Sequence, residues 1–100
     1  MEKPSSHYRL SVIKTLVAAN KVRATFSAFK CAKEAGVRNL HEMCEIVLSL
    51  TASDFYKSIT AYTDHRLWQD VYHGKTTTGI PLYIKLTVVE DVLIVSFKEL

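Results

Sequence analysis

Leu82-Tyr83-Ile84-Lys85-Leu86-Thr87-Val88-Val89-Glu90-Asp91-Val92-Leu93-Ile94-Val95-Ser96-Phe97-Lys98 reads as two apolar, β-branched runs around a short acidic turn at Glu90-Asp91. That is the pattern of an antiparallel hairpin. Side chains alternate across a strand, so Leu82, Ile84, Leu86 and Val88 share one face of the first run. Tyr83, Lys85 and Thr87 take the other. In the second run Leu93, Val95 and Phe97 fall together, with Ile94, Ser96 and Lys98 opposite. Matching the apolar faces gathers Tyr83, Lys85, Ser96 and Lys98 on one polar, cationic surface. A hairpin with one apolar face and one basic, aromatic face is a platform for an anion.

Upstream of the hairpin, Gly74-Lys75-Thr76-Thr77-Thr78-Gly79 is a polar loop, preceded by a strand over Leu67–His73 that contains Trp68, Val71 and Tyr72. Ile59–Tyr62 is short and extended, and Thr63-Asp64 is turn-like. Before that the texture is helical. Leu10, Ile13, Leu16 and Val17 recur at helical spacing, with Ser5 or Ser6 as the cap and Asn20 at the end. Lys21–Phe26 is a short strand. Ser27 opens a second helix with Ala28, Cys31, Ala32 and Ala35 inward and Gly36 as its stop. Asn39 with Glu42 three residues on predicts a capping box for a third helix, whose Leu40, Met43, Cys44, Val47 and Leu50 form a buried stripe. Thr51 with Asp54 repeats the device and predicts a further helical turn to about Lys57. Helices first and strands second predict an α+β fold, helices packed on one side of a largely antiparallel sheet.

The chain has 100 residues, enough for one domain and one core. Its 48% hydrophobic and 23% charged residues place it among ordinary globular proteins rather than disordered ones. A net charge of +3 is a mild bias towards polyanions. No apolar run is long enough to span a membrane. Met1-Glu2-Lys3-Pro4-Ser5-Ser6 has no hydrophobic signal segment, which makes the cytoplasm the expectation. Cys31 and Cys44 read as reduced, buried thiols rather than a disulfide.

Each chemistry-bearing residue has a duller role beside its functional one. His41 and Cys44 stand three apart on a helix, but the chain offers no CxxC or HxxxH from which to build a metal site. There is no Gly-rich phosphate loop and no GxSxG elbow. What remains is Asp54-Phe55-Tyr56-Lys57-Ser58, then Asp64 to Tyr72, then Tyr83, Lys85 and Lys98. Tyr, Lys, Gln and His on neighbouring strands can neutralise a phosphate, hydrogen-bond its oxygens and stack on bases. The plainer alternative makes the aromatics core and the lysines a solvated face.

Asp54-Phe55-Tyr56-Lys57-Ser58, Trp68-Gln69-Asp70-Val71-Tyr72 and Asp91-Val92-Leu93-Ile94-Val95-Ser96-Phe97-Lys98-Glu99 closely resemble the motility quorum-sensing regulator (MqsR) toxins. These are mRNA interferases of bacterial toxin–antitoxin systems, related in fold to the RelE-type toxins. The resemblance runs over essentially the whole chain and is weaker between Phe26 and Glu45. It implies a RelE-like fold over residues 1–100 and a cytoplasmic endoribonuclease acting on single-stranded mRNA without a cofactor, at GC-containing sites. It also implies a zinc- and DNA-binding antitoxin resembling MqsA as partner. Carried over by position, it makes Lys57, Gln69 and Tyr83 catalytic. Tyr56, His73, Lys85 and Lys98 are then expected to contact RNA. If Gln69 joins the Tyr83 face, alternation sends Trp68 and Tyr72 to the core. One departure stands out: His73 occupies a position where the family carries arginine, and Lys75 could supply the missing charge. Two readings of other classes stay open, a non-catalytic nucleic-acid-binding regulator and an interaction module working through the sheet edge.

Overall fold

The computed structural model describes all of residues 1–100. A two-residue strand β1 (Glu2–Lys3) leads through an extended segment to helix α1 (Leu10–Ala18), strand β2 (Val22–Ala24) and helices α2 (Phe26–Glu34) and α3 (Leu40–Ser49). A single 3₁₀ turn (Ala52–Asp54) precedes strands β3 (Phe55–Thr60), β4 (Trp68–Lys75), β5 (Pro81–Val89) and β6 (Asp91–Glu99). The strands form one sheet in the order β1-β3-β4-β5-β6-β2. Every pairing is antiparallel except β2 against β6. The α+β expectation holds.

Several helix boundaries follow the residues that announced them. Asn20 ends α1 with φ of 62°, and Lys21 N–H returns to Leu16 C=O at 2.8 Å. Gly36 ends α2 with φ of 87°, and Val37 N–H reaches Ala32 C=O at 2.8 Å. Both are left-handed closures that satisfy carbonyls left over at a helix end. The starts differ more. Neither Ser5 nor Ser6 caps α1; its first turn follows Arg9, with no side-chain cap. Thr25, not Ser27, caps α2 by accepting from Ala28 N–H at 3.1 Å. Asn39 caps α3 as expected, accepting from Glu42 N–H at 2.9 Å. Glu42 reaches past it to Arg38, accepting from the backbone N–H at 2.7 Å and from the guanidinium at 2.8 Å.

The turn begun by Thr51 stops at Asp54 instead of running to Lys57. Asp54 accepts from Thr51 N–H at 2.8 Å, which closes one turn. From Phe55 the backbone is claimed by ladder bonds to β4, so Lys57 stands on a strand.

All three helices pack on one side of the sheet. The core joins Ile13 and Val17 of α1, Ala28 and Ala32 of α2, and Met43, Ile46 and Val47 of α3 to Tyr72, Leu82, Ile84, Leu86, Val92, Ile94 and Phe97 of the strands. The expected inward set of β5 holds for Leu82, Ile84 and Leu86, all 0% exposed. In β6 the inward residues are Val92, Ile94 and Phe97 rather than Leu93, Val95 and Phe97. The cause is a bulge: Lys85 pairs with Ser96 but Leu86 pairs with Ile94, so Val95 is an extra residue. An extra residue shifts the alternation by one. Beyond it, Ser96 and Lys98 face away from the helices as expected. Cys31 and Cys44 are free and only half-buried, shallower than expected.

Candidate active site

The register of the sheet decides what shares the helix-free face. Lys57 pairs with Val71, Val71 with Lys85, and Lys85 with Ser96. One step along, His73 pairs with Tyr83 and Tyr83 with Lys98. On the other side, Ile59 pairs with Gln69. Paired residues lie about 4.5–5.5 Å apart at Cβ on one face. Lys57, Gln69, His73, Tyr83, Lys85 and Lys98 are therefore neighbours across four strands.

Tyr56 joins them because of a second bulge. Phe55 pairs with Tyr72 and Lys57 with Val71, leaving Tyr56 unpaired between them. Phe55 packs inward, edge-on to Tyr72 at 5.6 Å between rings. Strict alternation would then put Tyr56 and Lys57 on opposite sides. Instead Tyr56 stacks on His73 at 4.3 Å with an interplanar angle of 24°, and Lys57 Nζ is 5.3 Å from the Tyr56 ring centre. All seven residues singled out from the sequence meet on one face.

The outer row, Tyr56–His73–Tyr83–Lys98, is a band of rings ending in an ammonium. His73 and Tyr83 are 6.4 Å apart between ring centres, and Lys98 Nζ lies 5.2 Å from the centre of Tyr83. The inner row carries Lys57 and Lys85 either side of Val71, which is 0% exposed yet lies outside the helix-side core. Their aliphatic stems cover an apolar floor while the ammoniums reach water. Burial pushes the Lys85 ammonium below the ordinary lysine value, and the charge of Lys98 pushes the same way. Crowded cations of this kind favour a bound anion.

Gln69 is 8% exposed. Its backbone carbonyl accepts from Ser58 Oγ at 3.5 Å, whereas its side-chain amide has no protein partner. No buried polar side-chain atom lacks a partner, so that amide stays reachable from the face with donors and an acceptor free. Tyr72 is different in kind. It is 1% exposed, and burial, aided by Asp70, pushes its phenol up to about 12. It is core, as the alternation argument expected. Trp68 is only half-buried and lies under the N-terminal segment. His7 stacks on it at 5.5 Å between rings, and Lys3 Nζ sits 4.2 Å from its ring centre.

That segment is what sequence reasoning missed. Asp70, 0% exposed, accepts from His7 N–H and Tyr8 N–H, both at 2.9 Å. β1 is thereby laid along the free edge of β3, where Glu2 pairs with Ile59 and its carboxylate stands 3.5 Å from Lys57 Nζ. Two residues of strand carry no periodicity, so nothing in the sequence announced this. His41, weighed as a metal ligand, lies on an exposed surface paired with Glu45 at 3.1 Å.

A cavity of about 750 Å³ lies between the α2–α3 junction and the Lys75–Ile80 loop and contains none of the seven residues. Most of the site is an open face, a shape suited to a polymer, with a small cavity at its Tyr56–Lys57 end. No helix is long and apolar enough to cross a membrane.

Comparison with known proteins agrees in extent with the shared blocks. The chain is 52% identical to the mRNA interferase toxin MqsR of Escherichia coli (strain K12) over 99 residues, covering 99% of each chain. A family model described as motility quorum-sensing regulator, toxin of MqsA, matches residues 5–99. With a match of that length and identity, the chain belongs to the MqsR toxin family.

Proposed function

We propose that this chain is an endoribonuclease toxin that cleaves single-stranded mRNA on the helix-free face of its sheet. The observation that carries the proposal is the convergence of three lysines, a free amide and a row of three rings, two of them stacked, on one open surface. Phosphates want the lysines, and unpaired bases want the rings.

In the reaction, the ribose 2′-oxygen attacks the adjacent phosphorus and the bond from phosphorus to the 5′-oxygen breaks. The 2′-hydroxyl proton passes to a base on the protein, and the departing 5′-oxygen takes one up. The products are a 2′,3′-cyclic phosphate and a 5′-hydroxyl. Lys57 and Lys98 neutralise the extra charge on the pentacoordinate phosphorus. Gln69 holds a phosphate oxygen or a base edge, and Tyr83 donates a proton or a hydrogen bond. Lys85 adds charge beside Lys98, while Tyr56 and His73 stack with the RNA. No three His, Cys, Asp or Glu side chains converge on a point. That ligand inventory supports a reaction run by the face's own groups.

The relative's name, an mRNA interferase, supports the same activity here, and the family resemblance favours GC-containing sites. The family's description as the toxin of MqsA supports an MqsA-like antitoxin as partner, itself zinc- and DNA-binding. Short strands at both sheet edges, β1 and β2, offer backbone groups for it to pair with.

The test is to incubate the purified chain with a defined single-stranded RNA in excess EDTA and to characterise the ends. Cyclic-phosphate and 5′-hydroxyl termini are expected. RNA binding without cleavage would leave only the regulator reading, and 5′-phosphate ends would refute this chemistry.

A further inference from the structure

Among Lys57, Lys85 and Lys98, only Lys57 has a carboxylate partner, Glu2. An acid beside a phosphate-binding platform weakens the attraction of that platform for RNA, so its placement asks for a reason. Holding β1 in place is not enough. That strand is already secured by Lys3 on Trp68, by Asp70 on the His7 and Tyr8 amides and by Thr60 N–H donating to Met1 C=O at 2.9 Å. An ion pair as exposed as Glu2–Lys57, with the carboxylate side chain 64% exposed, adds little to such an anchor.

Between β1 and the site lies a small cavity of about 240 Å³ lined by Glu2, Lys3, Pro4, Tyr56 and Lys57. One side of the Tyr56 ring rests on His73, and the residue is 53% exposed, so the other side can receive a base. A carboxylate is an acceptor with two oxygens. Guanine alone among the four RNA bases sets two adjacent donors, N1–H and the 2-amino group, on its Watson–Crick edge. Adenine and cytosine set one amino group beside an acceptor, and uracil sets one N–H between two carbonyls.

Resting on the endoribonuclease reading above, we infer that Glu2, Tyr56 and Lys57 form a guanine subsite beside the scissile phosphate. Tyr56 stacks on the base, Glu2 accepts from its Watson–Crick edge, and Lys57 turns from Glu2 to the phosphate. Glu2 is then the specificity-determining residue. β1 exists to bring it there.

The experiment uses the full chain, tagged at the C-terminus because the Met1 amino group donates to Thr60 Oγ1. Oligoribonucleotides with one scissile step carry guanosine or inosine, which lacks the 2-amino group, at each flanking position in turn. For the unaltered chain, inosine at one position should lower kcat/KM by about tenfold, the order of one hydrogen bond to an exposed charged acceptor. In Glu2→Gln, whose amide offers one acceptor and one donor, the guanosine-to-inosine ratio at that position should fall to near one. A Glu2→Gln protein that keeps the full ratio at every position overturns the subsite. A second arm measures binding of the same RNAs with a 2′-deoxy sugar at the scissile step. If the unaltered chain cuts no RNA, the endoribonuclease reading fails by itself. The subsite then stands on a guanosine preference in binding that Glu2→Gln removes, and falls if that preference is absent.

Discussion

Replacing Asp70 with alanine should detach the N-terminal segment and cost much of the stability of the fold. The side chain is fully buried and holds two backbone N–H groups at 2.9 Å each. Hydrogen bonds to a charged group contribute about 1.5–3 kcal/mol apiece, so the pair stands for roughly 3–6 kcal/mol before relaxation. The two N–H groups are only part-buried and regain some water when freed, which brings the expected loss to about 3–4 kcal/mol. Against a total of about 5–15 kcal/mol for a small domain, that is a large fraction. With a urea slope near 1.5 kcal/mol per molar, the midpoint should drop by about 2 M. Asp70→Asn keeps one acceptor oxygen but turns an NH₂ towards a donor, and should fall between the two proteins. Equilibrium urea unfolding gives the global number. Hydrogen exchange at the His7, Tyr8 and Thr60 amides gives the local one. A loss below about 1 kcal/mol with those amides still protected would refute the claim that Asp70 anchors β1.

Lys57→Ala, Gln69→Ala and Tyr83→Phe should each slow RNA cleavage by at least about tenfold, or roughly 1.4 kcal/mol of transition-state stabilisation, with unfolding curves unchanged in form. His73→Ala should cost less in cleavage, and the rate should keep rising above pH 7; a bell-shaped profile near pH 6–6.5 abolished by that substitution would assign the proton transfer to histidine instead. Lys85 is held below the ordinary lysine value, so between its folded and unfolded values the unfolded chain binds more protons and stability rises with pH. Lys85→Met should accordingly be more stable than the unaltered chain at pH 7, with the gap closing as pH climbs towards the ordinary lysine value, while RNA affinity falls; urea titrations across pH and a binding isotherm check both. Gly74→Ala would place a Cβ 3.0 Å from Leu50 Cδ2 and 3.1 Å from Ile84 Cδ1, and should cost about 1–2 kcal/mol as those side chains give way, read by thermal unfolding.

Signals that act within a few residues were legible in the sequence. Asn20 and Gly36 end their helices because each supplies the left-handed closure locally, and Asn39 caps α3 from one turn away. The side of β5 that meets the helices followed from alternation alone. Features settled by distant pairing were not legible. Thr51 and Asp54 look the same whether one turn or two follows; the pairing of Phe55–Thr60 with β4 decides for one. The bulge at Val95 moves Leu93 and Val95 off the expected face, and no residue type there announces it. At the site, parity had already joined Tyr83, Lys85 and Lys98, and the sheet register adds the other residues named by the resemblance to the same face. Tyr56 beside Lys57, and Glu2 opposite it, needed the bulge and the edge strand to be seen.

Those two supernumerary residues, Tyr56 and Val95, give the sheet one spare count in each of two strands. Exchanging a side chain on either surface changes one contact and leaves the neighbours where they were. Deleting Val95 would remove the bulge and leave Ile94 opposite Leu86 and Ser96 opposite Lys85 in an unbroken ladder. Phe97 would stay among the helices and Lys98 on the open face, with only the local kink and twist lost. Deleting Tyr56 would likewise keep Phe55 inward and Lys57 outward, and remove only the ring stacked on His73. Descendants of this fold can therefore vary the charges and rings on the face one at a time. In β3 and β6 they can also lose the spare residue at the bulge without turning a face over.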